Sequence, residues 1–190
     1  MKTIDLTNIP DKRVETWTTS LKFKYDLIHY FQNIEGSENF VCVEVGAWRG
    51  YSTHILAQLF GEVYSLEFDS NSVNLSKEFN KKYDNIIYRN IDVYKDDWET
   101  PTINVSFIDC IHDYPHVLKD IENSIKRATN ELYLVFDDFG LIEEVKDAVG
   151  DFIDSKTSMV VTYIGEPKGS DCRPGKIMND WEGVIVKIIL

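Results

Sequence analysis

Acidic residues stand at the ends of successive apolar segments of this chain, where they could hold a positively charged ligand. Glu44 and Glu67 lie within VCVEV and VYSLE, and Asp92 follows IIYR. Three such carboxylates would repel a diphosphate but would suit a cationic cofactor. Gly46 and Gly50 follow the first segment in VEVGAWRG. Glycine lets the backbone approach a ligand and adopt positive φ, although a tight strand-to-helix turn would need it as well.

A second group of carboxylates lies further along the chain. Asp109 follows an apolar segment in FIDCIHDYPHV, and Asp137 and Asp138 follow another in VFDDFG. Oxygen ligands that leave open positions are what Mg²⁺ prefers, so a magnesium site is one interpretation. In the other, the aspartate pair caps the next helix. His112 is a candidate general base, because an imidazole has a pKa near neutrality.

Short β-branched segments alternate with segments of helical period. This alternation predicts a single α/β domain over residues 1–190 with a doubly wound, Rossmann-like sheet and helices on both faces. The sheet is expected to be mostly parallel, with an antiparallel last strand reached through a long loop at 165–183. Residues 1–19 are expected to form a polar arm. The seven predicted strands are 41–45, 63–67, 86–89, 104–108, 132–136, 159–164 and 184–189, and the predicted helices are 20–34, 54–60, 73–83, 115–128 and 141–153.

Composition excludes several classes of protein. The net charge of −12 argues against a nucleic-acid partner, which usually requires a basic patch. No apolar run approaches the roughly 20 residues of a membrane helix, so no membrane partner is expected. Cys42, Cys110 and Cys172 are odd in number and widely spaced, which predicts free thiols and a cytoplasmic location.

The motifs around the first three strands resemble those of class I S-adenosylmethionine-dependent methyltransferases. VEVGAWRG resembles the E-x-G-x-x-x-G motif of that family, YSLEFD its second-strand acid and NID its adenine-contacting acid. The resemblance covers roughly residues 38 to 190 and implies S-adenosylmethionine as cofactor. The residues that it implies for cofactor binding are Glu44 at the amino group, Gly46, Ala47 and Gly50 at the methionine portion, Ser52, Thr53, Glu67 at the ribose, Phe68, Asp92 at the adenine, Val93 and Asp109.

The later motifs are similar to those of metal-dependent O-methyltransferases of the catechol and sugar types. The sugar-type pattern F-I-D-G-D-H-x-Y precedes an aspartate pair, which implies that Asp109, Asp137 and Asp138 bind magnesium. The second acid of that pattern is Ile111 here. Either His112 acts as the base, or the chain binds the cofactor and has lost or changed its reaction. The implied acceptor is a hydroxyl group of a small molecule or sugar.

Acceptor contacts are expected from loops at the same edge of the sheet, with His116 and Asp113 facing solvent at a helix start. No large insertion covers the site, so the acceptor pocket is either open or closed by a second copy in a homo-oligomer. The loops are 1–19, 111–116, 138–142 and 165–183, the last with Arg173, Lys176 and Trp181.

Two other enzyme classes fit the motifs less well. A nicotinamide oxidoreductase would carry a glycine where Trp48 stands. A methyltransferase of base amino groups would carry N/D-P-P-Y/W where this chain reads DCIH.

Overall fold

The computed structural model describes residues 3–12, 14, 17–155, 158–173 and 175–190. The chain forms a seven-stranded sheet in the order β3-β2-β1-β4-β5-β9-β6. Only β9 is antiparallel to its neighbours, β5 and β6, so the predicted doubly wound sheet with an antiparallel last strand is confirmed. The seven strands of this sheet are β1 (Val41–Val45), β2 (Glu62–Glu67), β3 (Ile86–Asn90), β4 (Val105–Ile108), β5 (Glu131–Phe136), β6 (Met159–Ile164) and β9 (Gly183–Ile189). Two further strands, β7 (Asp171–Arg173) and β8 (Lys176–Ile177), pair with each other outside it.

Helices cover both faces of the sheet because its central strands are apolar on both sides. One core cluster joins the sheet to α4 (Tyr114–Ile125) and α5 (Glu143–Asp154). The other joins it to α1 (Leu21–Gln32) and α2 (Tyr51–Leu59). The remaining helix, α3 (Ser70–Phe79), contacts β3 and β2. A short 3₁₀ turn, Ser37–Asn39, precedes β1.

The register of the sheet aligns the carboxyl ends of four strands. Val45 pairs with Leu66 of β2 and with Ile108 of β4, and Ile108 pairs with Phe136 of β5. The strand order reverses between β1 and β4, the place where doubly wound sheets bind ligands. The residues that follow β1, β2, β4 and β5 therefore meet at one edge.

Local details of three predicted segments differ from the structure. α3 begins at Ser70 rather than at residue 73, because Asp69 caps it by accepting a hydrogen bond from Ser72 N at 2.8 Å. The long loop contains a small hairpin of β7 and β8. The residue before α5 is Ile142, which has no side-chain cap, so the interpretation of the aspartate pair as helix caps is wrong.

Cys42 and Cys110 are free thiols, while the side chains of Cys172 and Arg173 lie outside the described part of the chain. Among the described residues, no helix combines the length and apolarity that crossing a bilayer would require.

Candidate active site

Two adjoining cavities open at the carboxyl edge of the sheet. The first has a volume of about 420 Å³ and lies beside the ends of β2 and β3. The second has a volume of about 300 Å³ and lies beside the start of α2. Gly46, Glu67, Cys110 and Ile111 line both of them. The cavities therefore meet at the β1–β4 switch point.

The two glycines of the first motif serve different purposes. Gly46 has φ +87° and lines both cavities, and a Cβ there would overlap the carbonyl oxygen of Asp109. Gly50 lines neither cavity, and a Cβ there would lie 2.6 Å from Asn80 Nδ2 and overlap Ser76 Oγ. Gly46 is therefore required by the site, whereas Gly50 is required by the packing of α2 on α3.

Glu67, at the end of β2, holds the loop that follows β1. Its Oε2 accepts hydrogen bonds from Ala47 N at 3.2 Å and Trp48 N at 2.9 Å. Its Oε1 accepts one from Asp69 N at 2.8 Å. The carboxylate thus fixes the turn between the two cavities, and its role at a ribose stays a prediction.

Glu44 lies beneath the loop, fully buried, and lines neither cavity. Its Oε2 accepts hydrogen bonds from Thr53 Oγ1 at 2.6 Å and Ser65 Oγ at 3.1 Å, while Oε1 has no protein partner. Burial outweighs these hydrogen bonds and raises the pKa of Glu44 to about 8. Thr53 is likewise buried, whereas Ser52 lines the second cavity.

Three of the predicted cofactor-binding residues line the first cavity. They are Phe68, Asp92, which is the predicted adenine contact, and Val93, and Phe68 is 74% exposed. Asp92 accepts hydrogen bonds from Tyr94 N at 3.1 Å and Lys95 Nζ at 2.7 Å. An exposed aromatic ring and a fixed carboxylate at the cavity are consistent with recognition of a planar base.

His112 and Asp109 form a pair in the wall of the second cavity. His112 Nε2 lies 3.1 Å from Asp109 Oδ1. Burial alone would lower the pKa of His112, but the hydrogen bond to Asp109 and the charges of Asp109, Asp138 and Asp137 raise it to about 9. Ile111, beside this pair, lines both cavities. The predicted base therefore lies in the wall of the second cavity, next to its junction with the first.

Asp137 and Asp138 contact a lysine that sequence reasoning did not single out. Lys12 Nζ lies 2.6 Å from Asp138 Oδ1 and 3.7 Å from both Asp137 Oδ1 and Glu182 Oε1. Burial would lower the pKa of Lys12, but the carboxylates Asp137, Asp138 and Glu182 hold it above its ordinary value. Burial also raises the pKa of Asp137 well above its ordinary value, despite the nearby Lys12.

This arrangement does not fit the predicted magnesium site. In the part of the chain that the structure describes, no group of three His, Cys, Asp or Glu side chains could hold a metal ion. The physical reason is the Lys12 ammonium, which is hydrogen-bonded to Asp138 and lies close to Asp137. The expected ligand set of Asp109, Asp137 and Asp138 is therefore not formed.

The N-terminal arm lines part of the second cavity through residues that the prediction did not name, and its contact with an acceptor stays a prediction. Trp17 and Thr18 line the second cavity. Glu182 accepts hydrogen bonds from Ser20 N at 2.7 Å and Ser20 Oγ at 2.5 Å, which attaches the end of the arm to the start of β9. The sequence of the arm has no periodic pattern that would indicate a buried lysine. The available signal was the excess of acids at the sheet edge, which requires a nearby positive charge.

His116 and Asp113 are partly exposed, with 37% and 42% of their side-chain surfaces accessible. His116 also lines the first cavity, and Asp113 caps α4 by accepting a hydrogen bond from His116 N at 3.0 Å. Trp181 stacks on Tyr163 and Lys176 is exposed, and neither residue lines the two cavities.

A family model described as a methyltransferase domain matches residues 43–139, just over half of the chain. The chain therefore belongs to this family of methyltransferases. The predicted methyltransferase class is thus confirmed, and the nicotinamide alternative is set aside. A comparison with curated proteins finds no match.

Solved structures with the same fold are distant in sequence. SMU.1697c of Streptococcus mutans, crystallised with S-adenosylhomocysteine, is 17% identical, with a TM-score of 0.66 over 89% of this chain and 99% of that one. An O-methyltransferase of Bacillus cereus, also crystallised with S-adenosylhomocysteine, is 15% identical, with a TM-score of 0.65 over 97% and 86%. An rRNA methylase of Streptococcus thermophilus is 15% identical, with a TM-score of 0.63 over 90% and 99%. These likenesses confirm the fold and leave the acceptor undetermined.

Proposed function

We propose that this enzyme transfers a methyl group from S-adenosylmethionine to a hydroxyl oxygen of a small molecule or sugar. The observation that carries this proposal is the His112–Asp109 pair in the wall of the second cavity, next to its junction with the first. Transfer to a hydroxyl group requires removal of a proton, and an imidazole held by a carboxylate is suited to that task.

The first cavity supports the cofactor assignment. Its volume of about 420 Å³ lies within the range of small-molecule sites, and Glu67 and Asp92 place acidic groups along it. Phe68 and Val93 provide apolar contacts for a base. When bound, S-adenosylmethionine supplies an electrophilic methyl group on a sulfonium, whose positive charge suits this acidic chain.

The residues of the second cavity would bind the acceptor and take its proton. His112 Nε2 is engaged by Asp109, so Nδ1 is the ring nitrogen that can accept the hydroxyl proton. Asp109 would then stabilise the imidazolium that forms. Trp17, Trp48 and Tyr51 line the same cavity, and their rings can pack on the face of a sugar or an aromatic acceptor. Holding the oxygen in line with the methyl group is the main contribution expected from these walls.

Magnesium has no part in this proposal, because the contacts of Lys12 do not favour the predicted metal site. A nucleic-acid acceptor is disfavoured by the net charge of −12. The widely spaced cysteines support a cytoplasmic location for the reaction.

The proposal is tested in two steps. Thermal unfolding with S-adenosylhomocysteine at about 100 times its dissociation constant should show added stability of about 2.7 kcal/mol, whereas NADH should have no effect. The enzyme is then incubated with methyl-tritiated S-adenosylmethionine and a panel of catechols, glycosides, nucleotide sugars and RNA.

Label in a hydroxylated small molecule, with transfer reduced at least about 100-fold in His112→Ala, is the expected result. His112→Ala should still bind S-adenosylhomocysteine. Label in RNA, or full transfer by the His112→Ala enzyme, would contradict the proposal. Binding of the cofactor with no labelled product from any hydroxylated acceptor would favour a binding protein that has lost the reaction, the alternative raised by Ile111.

A further inference from the structure

We infer that Lys12 is the resident cation of the acidic site at the ends of β4 and β5, and that its ammonium stands in place of a divalent metal ion. The enzyme would then hold its site together without magnesium. This inference goes beyond the methyl transfer proposed above and does not depend on the identity of the acceptor.

The contacts of Lys12 leave little room for a second cation. Its side chain is only 2% exposed, and Nζ lies 2.6 Å from Asp138 Oδ1 and 3.7 Å from Asp137 Oδ1. A magnesium ion would have to bind carboxylate oxygens at about 2.0–2.1 Å with further oxygen ligands around it. An ion on Asp137 or Asp138 would lie beside the ammonium and repel it strongly in a buried setting. Metal binding would therefore require Lys12 to leave.

The arm is fixed on both sides of Lys12, which keeps the lysine in place. Lys24 Nζ donates hydrogen bonds to Pro10 O at 3.0 Å and to Thr19 O. Ser20 donates two hydrogen bonds to the buried carboxylate of Glu182, which is itself 3.7 Å from Lys12 Nζ. The stretch between these anchors contains Trp17 and Thr18, which line the second cavity. Lys12 is thus a positioning residue for one wall of that cavity.

The first test uses the unaltered enzyme and compares its thermal unfolding in 5 mM MgCl₂, CaCl₂ or MnCl₂ with that in EDTA. We expect midpoints that agree within about 1 °C, since a ligand that does not bind the folded state adds no stability. A midpoint that rises with one of these cations by more than about 2 °C and falls in EDTA would overturn the inference. This measurement needs no acceptor and no variant.

The second test is a double-mutant cycle between Lys12→Met and Asp138→Asn. Lys12→Met keeps the length of the side chain but removes the buried ammonium from beside Asp138, so the midpoint should fall by roughly 6–20 °C. Adding Asp138→Asn removes the negative charge that the ammonium contacts, so the double variant should regain part of that loss. Lys12→Arg keeps the charge and should remain closer to the unaltered enzyme than Lys12→Met.

Three outcomes would overturn the inference: an unchanged midpoint in Lys12→Met, strictly additive effects in the cycle, or Lys12→Arg no better than Lys12→Met. If Lys12→Met proves too unstable to purify, the cation series on the unaltered enzyme still decides the question. Binding of S-adenosylhomocysteine is measured in parallel, because its absence would contradict the proposed function while leaving the result on Lys12 intact.

Discussion

Gly46 and Asp109 meet backbone to backbone where β1 and β4 end, with no room between them for a side chain. A Cβ on Gly46 would overlap the Asp109 carbonyl oxygen, and φ at Gly46 is +87°. Gly46→Ala should therefore cost about 2–4 kcal/mol of unfolding free energy, from positive-φ strain and the clash together. It should also weaken binding of S-adenosylhomocysteine, because Gly46 lines both cavities. Urea unfolding and calorimetry measure the two effects.

Gly150 provides a matched control within α5. A Cβ there meets nothing within 4 Å, and the residue has no positive φ. Gly150→Ala should be neutral or stabilising by up to about 1 kcal/mol, because alanine favours a helix. Equal stability of the Gly46→Ala and Gly150→Ala proteins would show that the close approach to Asp109 has no energetic consequence.

Glu67 should support cofactor binding by holding the loop that follows β1 in its observed conformation. Glutamine has one acceptor oxygen instead of two, so Glu67→Gln cannot keep the bonds to Ala47 N, Trp48 N and Asp69 N together. We expect a loss of about 1–3 kcal/mol in stability and at least about tenfold in S-adenosylhomocysteine affinity. Glu62→Gln, at the other end of β2 and outside both cavities, is the control. Equal affinity in the two variants would contradict the assigned role of Glu67.

The titration of His112 should depend on Asp109. The pKa of His112 is about 9 because its hydrogen bond to Asp109 and the nearby carboxylates outweigh burial. Asp109→Asn removes the charge that raises the pKa of His112 most, so this pKa should fall towards its ordinary value, which NMR of the imidazole carbons measures. If His112 acts as the base, the transfer rate should rise with pH up to about 9 and the same substitution should shift that rise to lower pH. An unchanged His112 titration would exclude the pairing.

Most of the fold could be predicted because each strand carries its own local signal. β1 and β6 begin and end where the sequence predicts, since both are rich in β-branched residues and are followed directly by a glycine. The β7–β8 hairpin was not predicted, because strands this short have no period to read. The predicted start of α3 was three residues too late because Asp69, Asn71 and Ser72 are all good caps and only the backbone geometry distinguishes them.

The sequence predicts the site residues that lie at the ends of strands. It does not predict those that reach the site through contacts with residues far away along the chain. Gly46, Glu67 and Asp109 follow or end strands, so the topology alone brings them together. Lys12 lies in an arm without periodic pattern, and its contact with Asp138 spans 126 positions of the chain. The excess of acids at the sheet edge indicates that a cation is needed there, but no local signal identifies Lys12 as that cation.

Glu44 should make the stability of this enzyme fall as pH rises. Burial raises its pKa to about 8, so the folded protein holds a proton that the unfolded chain releases near the ordinary value of 4.5. The contribution of Glu44 to the free energy of unfolding is complete below pH 4.5. It is lost progressively between pH 4.5 and 8, by up to about 4–5 kcal/mol. Glutamine at position 44 resembles the protonated acid, so Glu44→Gln removes this pH-dependent contribution to the free energy of unfolding.

Urea unfolding of both proteins between pH 5 and 8.5 measures the difference between their stabilities. The unaltered protein should lose stability relative to Glu44→Gln as pH rises, and the difference should level off above about pH 8. His112 and other groups titrate in both proteins, so the subtraction isolates Glu44. A difference that stays constant over this range would mean that Glu44 is ionised throughout, and that the contacts from Thr53 and Ser65 outweigh its burial.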